Sequence, residues 1–142
     1  MTLRGLSIAV LAYPGYQELE FWYPLLRSRE EGATVTVVAS AADGCESFLG
    51  YPVIGDAEPS QVRAAELDAL IVPGAVEGRP PASEAQLQLI RDTHSAGRRI
   101  YGASSGAALV TELTGMTDDG RLVADADKLP ELVRRLQADL AR

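Results

Sequence analysis

Short apolar runs alternate with amphipathic segments along this chain. Three runs are rich in leucine or β-branched residues and are bounded by turn residues, at positions 6–12, 34–39 and 67–72. Runs of this kind are typical of strands that are buried on both faces, as in a parallel sheet. The pattern therefore predicts three central strands.

Segments with helical spacing lie between and after these runs. Residues 17–31, 83–96 and 105–113 are predicted to be helices, and Gly32 and Gly97 stand where the left-handed end of a helix favours glycine. Strand and helix alternate, which predicts an α/β fold with right-handed crossovers. We expect residues 1–142 to form a single domain.

The C-terminal third contributes one more predicted helix. Asp127 is expected to be its N-cap, because a short acceptor side chain satisfies the first free N–H groups. Five apolar residues lie on one face at helical spacing and are expected to pack in the core: Leu129, Leu132, Val133, Leu136 and Leu140. Residues 43–59 are rich in turn residues and predict at most a short hairpin or edge strand.

Composition excludes several classes of function. A net charge of -7 argues against a nucleic-acid partner, because phosphate binding needs a clustered basic surface. The single cysteine, Cys45, cannot form an internal disulfide, and no histidine or cysteine pair has the spacing of a metal site. No apolar run is long enough to span a membrane, and the first one is typical of a strand. We expect a cytoplasmic protein without a metal.

The stretch GASSG at residues 102–106 is the first candidate for chemistry. It matches the G-x-S-x-G nucleophile elbow, a strained strand-to-helix turn that presents Ser104 above the sheet. A turn whose small residues serve only close packing would have the same sequence. The spacing alone does not separate these two interpretations.

A serine nucleophile needs partners that the rest of the chain does not supply in the usual order. No histidine follows Ser104, and the sole histidine, His94, lies among polar residues of a predicted helix. The first loop is acidic and lacks a phosphate-binding Gly/Ser/Thr cluster, and the run at 67–72 ends without a phosphoacceptor aspartate. We expect no flavin and no other cofactor.

Three stretches then identify a family: YQELEFWYPLLRSREEGATVTVVAS, LDALIVPGA and GRRIYGASSGAALV. In this order, over residues 6–114, they resemble the ThiJ/PfpI family of the class I glutamine amidotransferase-like superfamily, which includes the Parkinson-associated deglycase. A weaker match follows at GRLVADADKLPELVRRL. The resemblance implies a flavodoxin-like three-layer sandwich with a mostly parallel central sheet, and a homodimer.

The resemblance also implies a site. In the family a glutamate four residues before a proline meets the elbow nucleophile, and Glu20 with Pro24 matches that spacing. Glu18 matches a neighbouring acidic position that is not usually catalytic. The Pro-Gly-Gly turn of the family, whose N–H groups face the nucleophile, corresponds to residues 73–75. We expect Glu20 and Ser104 to be close, because both follow strands predicted to be adjacent in the sheet.

The sequence departs from the family at the elbow itself. Where the family typically has Cys-His-Gly, this chain has Ser104, Ser105 and Gly106. A serine hydroxyl needs a positioned base, and an ordinary carboxylate is a weak base for an alcohol. The segment 114–121 is also shorter than its family counterpart, which implies a pocket that is open or is completed by another subunit.

Two functions therefore remain as hypotheses. The first is a non-enzymatic binding, regulatory or chaperone-like domain that uses the pocket around Glu20, Gly74, Ala75 and Ser104 for a small molecule or peptide. The second is a hydrolase of the peptidase type or a glyoxalase/deglycase-like enzyme. In it Ser104 is the nucleophile, Glu20 the acid or base, and the N–H groups of Ala75 and Ser105 the oxyanion hole.

Overall fold

The computed structural model describes residues 2–41, 43–117 and 119–141. Its strands, in chain order, are β1 (Ser7–Ala12), β2 (Thr34–Ala39), β3 (Cys45–Glu46), β4 (Pro52–Val53), β5 (Ala69–Val72), β6 (Arg99–Ala103) and β7 (Leu122–Val123). Its helices are α1 (Glu18–Glu30), α2 (Glu84–Ser95), α3 (Ser105–Thr114) and α4 (Leu129–Leu140), with single 3-10 turns at Pro59–Gln61, Ala64–Glu66 and Ala126–Lys128.

One sheet organises the molecule. Its strand order is β2-β1-β5-β6-β7, and each neighbouring pair is parallel. The helices pack in pairs, α1 with α4 and α2 with α3, which produces the predicted flavodoxin-like three-layer α/β sandwich. The segment 43–59 forms the predicted short hairpin, β3 with β4, outside this sheet.

The predicted boundaries agree closely with the observed ones. Gly32 (φ 96°) and Gly97 (φ 72°) have the left-handed conformation expected after α1 and α2. Strand β5 begins two residues later than predicted, after Asp68, which bonds to Ser7 at the start of β1. The Asp68 carboxylate accepts the Ser7 N–H at 2.8 Å, and the Asp68 N–H donates to the Ser7 carbonyl at 2.8 Å.

The predicted N-cap of the last helix is wrong. The side chain of Asp125, not Asp127, accepts a main-chain hydrogen bond, and its donor is the Asp127 N–H at 2.9 Å. This hydrogen bond caps the N-terminus of the 3-10 turn Ala126–Lys128. Helix α4 follows the turn and has Pro130 in its first turn. Proline is compatible with this position because the first N–H groups of a helix have no helical partner.

The carboxyl ends of the central strands are held by a buried amide that the sequence did not reveal. Gln86 on α2 is fully buried, and its Nε2 donates to the carbonyls of Ala12 (2.9 Å) and Val38 (3.0 Å). These two bonds join the ends of β1 and β2, and the segment that leads to the candidate site begins after β1.

Among the described residues, no helix is long and apolar enough to cross a membrane.

Candidate functional site

Ser104 occupies a strained turn between β6 and α3. Its backbone has φ 53° and ψ -126°, and it is the only described residue other than glycine with positive φ. Such a conformation costs on the order of 1–3 kcal/mol. Its N–H donates to the Val123 carbonyl at 2.9 Å, so pairing with β7 helps to hold the turn.

The small residues around this turn have a steric cause. A Cβ atom on Gly106 would lie 2.2 Å from the carbonyl oxygen of Val72, and one on Gly102 would lie 3.1 Å from Cα of Ala107. Side chains at these positions would force α3 away from β5 and β6. Close packing therefore explains the two glycines of the GASSG stretch, and it leaves both interpretations of Ser104 open.

The predicted contact between Ser104 and Glu20 is confirmed. The Ser104 hydroxyl lies 2.6 Å from Oε2 of Glu20, a separation typical of a hydroxyl that donates to a carboxylate. Glu20 is only 3% exposed. The expected reason was wrong, because β5 lies between β1 and β6, so the two strands are not adjacent.

Gly74 lets the two side chains meet across the end of β5. Its N–H donates to Oε1 of Glu20 at 2.8 Å, and a Cβ atom there would lie 2.6 Å from the same oxygen. Only glycine leaves room for this carboxylate above the strand. Glu20 itself is oriented by α1, since its N–H donates to Oε1 of the N-cap residue Gln17 at 2.7 Å.

The two N–H groups of the predicted oxyanion hole, those of Ala75 and Ser105, differ in their bonding. The Ala75 N–H donates to the Ser105 hydroxyl oxygen at 2.9 Å, and this hydroxyl also lies 3.0 Å from the Ala75 carbonyl. The Ala75 N–H is therefore engaged within the protein. The Ser105 N–H precedes the first helical hydrogen bond of α3, from Ala108 to the Ser104 carbonyl, and has no partner within that helix.

Tyr13 is a site residue that the sequence did not single out. It follows β1 directly, is fully buried, and donates its hydroxyl to the Pro73 carbonyl. Burial, and then the nearby Glu20 charge, raise the pKa of the Tyr13 phenol, so it stays protonated and keeps donating. An aromatic residue that ends a central apolar run before a Pro-Gly turn is the signal that could have identified it.

Two other candidates lie apart from this chemistry. Oε2 of Glu18 accepts the Leu49 N–H at 2.8 Å; burial opposes ionisation, but bonds from Ser47 and Leu49 lower the pKa of Glu18 overall. Glu18 therefore holds the loop after β3. His94 is exposed near the end of α2, before β6 begins, whereas Ser104 follows the opposite end of that strand.

The arrangement has defined chemical properties. Ser104 can accept a further hydrogen bond while it donates to Glu20, and the N-terminus of α3 favours negative charge. A buried carboxylate stands where a triad would place an imidazole. Within the described residues, no group of three or more histidine, cysteine, aspartate or glutamate side chains is placed to hold a metal ion.

Sequence comparisons identify relatives of this chain. An uncharacterized protein of Archaeoglobus fulgidus is 28% identical over 120 residues, which cover 82% of this chain and 68% of that protein. A deglycase of Thermococcus kodakarensis is 36% identical over 76 residues, which cover 54% of this chain and 44% of the deglycase. The match to the deglycase thus spans less than half of that protein.

Solved structures share the fold at low sequence identity. A cysteine-to-alanine mutant of a DJ-1 superfamily protein from Salmonella typhimurium superposes with a TM-score of 0.80 at 22% identity, over 99% of this chain and 90% of that one. The oxidized DJ-1 of Toxoplasma gondii gives 0.81 at 18%, over 96% and 91%. The sequence profile of the DJ-1/PfpI family matches residues 6–124, and the chain therefore belongs to the DJ-1/PfpI family.

Proposed function

We propose that this chain is a non-enzymatic member of its family, a binding, regulatory or chaperone-like domain. Its ligand is a small molecule or peptide that binds in the pocket around Glu20, Gly74, Ala75 and Ser104. The observation that carries the proposal is the pairing of Ser105 with Ala75. This bond occupies the Ala75 N–H, a donor that an acyl-transfer reaction would need to stabilise its oxyanion.

The environment of Ser104 supports the same proposal. The side chain that its hydroxyl contacts is the Glu20 carboxylate, and a carboxylate is a weak base for an alcohol. Serine nucleophiles are usually activated by an imidazole or amine base within hydrogen-bond reach. His94 is at the other end of β6 and cannot fill that role.

Labelling with a fluorophosphonate probe tests this proposal directly. We expect no adduct on Ser104 in the wild-type protein after peptide mapping by mass spectrometry. Ser104→Ala is the matched control, because it removes the candidate nucleophile and leaves the bonds of Ser105 intact. A fluorophosphonate adduct on Ser104 that is absent from Ser104→Ala would overturn the proposal.

A second candidate function is a hydrolase or a glyoxalase/deglycase-like enzyme. Three observations favour it: the similarity to a protein named a deglycase, the strained backbone of Ser104, and its bond to Glu20. This function predicts that the protein consumes glyoxal or cleaves a peptidase substrate. Ser104→Ala and Glu20→Gln would then each abolish the turnover, whereas Glu18→Gln would preserve it.

We also propose that the protein is a homodimer. Among the described residues, seven large apolar side chains are exposed, all on α1 or within residues 48–76; we call them the apolar surface: Leu19, Leu26, Phe48, Leu49, Tyr51, Ile54 and Val76. Ile54 is 74% exposed and Leu49 67%. Together they expose several hundred Å², which approaches the roughly 800 Å² per partner that a stable dimer buries.

Ile54 of the apolar surface borders a groove between α1 and the hairpin. The groove, of about 390 Å³, is lined by Trp22, Pro52, Val53 and Ile54 and also by the charged Arg29 and Asp56. We expect sedimentation to give twice the monomer mass for the wild type and a monomer for Ile54→Asp. Ala85→Asp, an exposed position on α2, is the control that should remain dimeric. A monomeric wild type would contradict the dimer.

Three further expectations stay predictions: a cytoplasmic location, the absence of a nucleic-acid partner and the absence of a cofactor. The first rests on the lack of a long apolar run in the sequence, and the second on the net charge of -7.

A further inference from the structure

The turn after β5 carries two N–H groups, and both are bonded to side chains from other elements. Gly74 donates to Glu20 on α1 at 2.8 Å, and Ala75 donates to Ser105 on α3 at 2.9 Å. A main-chain turn with two outward N–H groups commonly binds an acceptor oxygen of a ligand. Here both positions are occupied by the protein itself.

The two bonds differ in accessibility. Gly74 is buried and Glu20 is only 3% exposed, so a ligand cannot reach the first bond without opening the core. Ala75 and Ser105 are both half-buried, beside half-buried Ser104. A ligand that contacts Ser104 can therefore reach the second bond.

The Ser105 hydroxyl has the geometry of a bound ligand. Its oxygen accepts the Ala75 N–H at 2.9 Å and lies 3.0 Å from the Ala75 carbonyl, to which it donates. A carbonyl oxygen that accepts the Ala75 N–H needs the space that the Ser105 hydroxyl oxygen fills. The hydroxyl and such a ligand cannot occupy the position together.

We propose that Ser105 is a specificity-determining residue, an internal ligand that a carbonyl oxygen must displace before it can bind the Ala75 N–H. The inference rests on the proposed function, since it concerns ligands of the same pocket. The preferred displacing group is a neutral carbonyl, as in an amide or aldehyde. A carboxylate is disfavoured because the position of the Ser105 hydroxyl oxygen lies 3.0 Å from the Ala75 carbonyl oxygen, which repels a negative charge.

Displacement breaks two hydrogen bonds of Ser105, and the released hydroxyl regains one with solvent, so the wild type loses one hydrogen bond that Ser105→Ala does not. The loss of one net hydrogen bond weakens binding by about tenfold. Removal of the hydroxyl by Ser105→Ala should therefore strengthen binding of a carbonyl by about the same factor. Ser105→Thr retains a hydroxyl at the first position of α3 and should behave like the wild type.

Amide-resolved NMR measures this displacement without reference to turnover. Acetamide, a neutral carbonyl probe, is titrated into ¹⁵N-labelled wild type, Ser105→Ala and Ser105→Thr while the Ala75 amide resonance is followed. We expect a saturable shift in Ser105→Ala at about tenfold lower concentration than in the other two proteins. Acetate should shift the same resonance less than acetamide does.

A second measurement, amide hydrogen exchange, tests the bond between the Ala75 N–H and the Ser105 hydroxyl. The Ala75 amide should exchange with solvent about fivefold to tenfold faster in Ser105→Ala than in Ser105→Thr, because its acceptor is missing. Equal acetamide affinity in Ser105→Ala and the wild type would overturn the proposal, as would equal exchange rates. Fluorophosphonate labelling of Ser104 would refute the non-enzymatic function and leave this result unchanged, so the two failures are distinguishable.

Discussion

The Ser104 hydroxyl donates to the Glu20 carboxylate across 2.6 Å, although 84 residues separate them in the chain. The contact depends on Gly74, because any side chain at that position would collide with the carboxylate. An acidic residue from α1, a turn from β5 and the N-terminus of α3 thus converge at one point. These groups would set the pKa of a stronger nucleophile, such as a thiol, at position 104.

The first prediction concerns such a nucleophile. In a Ser104→Cys, Cys45→Ser double variant, the introduced thiol should have a pKa below the roughly 8.5 of a free cysteine, by about one unit or more. The N–H groups at the start of α3 stabilise the thiolate, and the Glu20 carboxylate opposes it through like charge. We expect the helix terminus to prevail, because several N–H groups act at contact distance.

Thiolate absorbance against pH measures this pKa, since the double variant contains one thiol. Adding Glu20→Gln removes the opposing charge and should lower the thiol pKa further. A pKa at or above the free-cysteine value would mean that the turn serves packing alone, and the enzymatic candidate would lose its support.

Part of this site could be predicted from the sequence, and the reason is physical. Ser104 and Glu20 each follow a predicted central strand, and the carboxyl ends of parallel strands lie at one edge of a sheet. The bond between Ser105 and Ala75 could not be predicted. It depends on how closely α3 approaches the turn after β5, and a shift of 1 Å would release it.

The fold likewise has features that the sequence predicts and features that depend on tertiary contacts. The three predicted central strands, now β1, β2 and β5, and the helices follow from the apolar pattern, since β1 and β5 are buried on both faces. The buried amide of Gln86 does not, because its helical position gives no sign that it spans two strands. The sequence also could not show that Asp125 rather than Asp127 caps the 3-10 turn before α4, because an aspartate at either position fits the preference for short acceptor side chains at an N-cap.

The second prediction tests the close packing of the turn. Gly106→Ala should lower the free energy of unfolding by about 3 kcal/mol or more, because its Cβ would lie 2.2 Å from the Val72 carbonyl oxygen. In an unconstrained helix the same change would be stabilising, since alanine is the better helix former. Urea denaturation distinguishes the two signs.

Ala108→Gly is the control for this change, because Ala108 is exposed on the same helix. It should cost only about 1 kcal/mol, the ordinary difference in helix propensity. If Gly106→Ala were neutral or stabilising, α3 would have to lie further from β5 than the structure places it.

The third prediction concerns the reactivity of Cys45. Burial raises the pKa of this thiol to about 11, so the thiolate is scarce at neutral pH. Iodoacetamide should alkylate Cys45 much more slowly than it alkylates glutathione at neutral pH, and the rate should rise steadily as the pH approaches that pKa. Intact-mass spectrometry follows the reaction, and rapid alkylation at neutral pH would contradict the buried environment.

The fourth prediction concerns an ionic cluster that fastens α4 to the sheet. The Asp139 carboxylate accepts hydrogen bonds from the Tyr101 hydroxyl (2.8 Å), from Nε of Arg121 (2.9 Å) and from Nε of Arg135 (3.0 Å). Burial opposes ionisation, but these three donors outweigh it and lower the pKa of Asp139 below its ordinary value. Asp139→Asn should therefore destabilise the protein by about 2 kcal/mol at neutral pH.

The pH dependence of this effect has a defined sign. The folded-state pKa of Asp139 is lower than the unfolded-state value of 3.8, so its contribution to stability is complete above that value. It is lost as the pH falls through the lower, folded-state pKa, where the carboxylate takes up a proton. Urea denaturation between neutral pH and pH about 2 should show the wild type and Asp139→Asn converging at the acidic end. Glu131→Gln, an exposed change on the same helix, should track the wild type throughout. A constant difference between wild type and Asp139→Asn at every pH would assign the loss to packing rather than to the charge of Asp139.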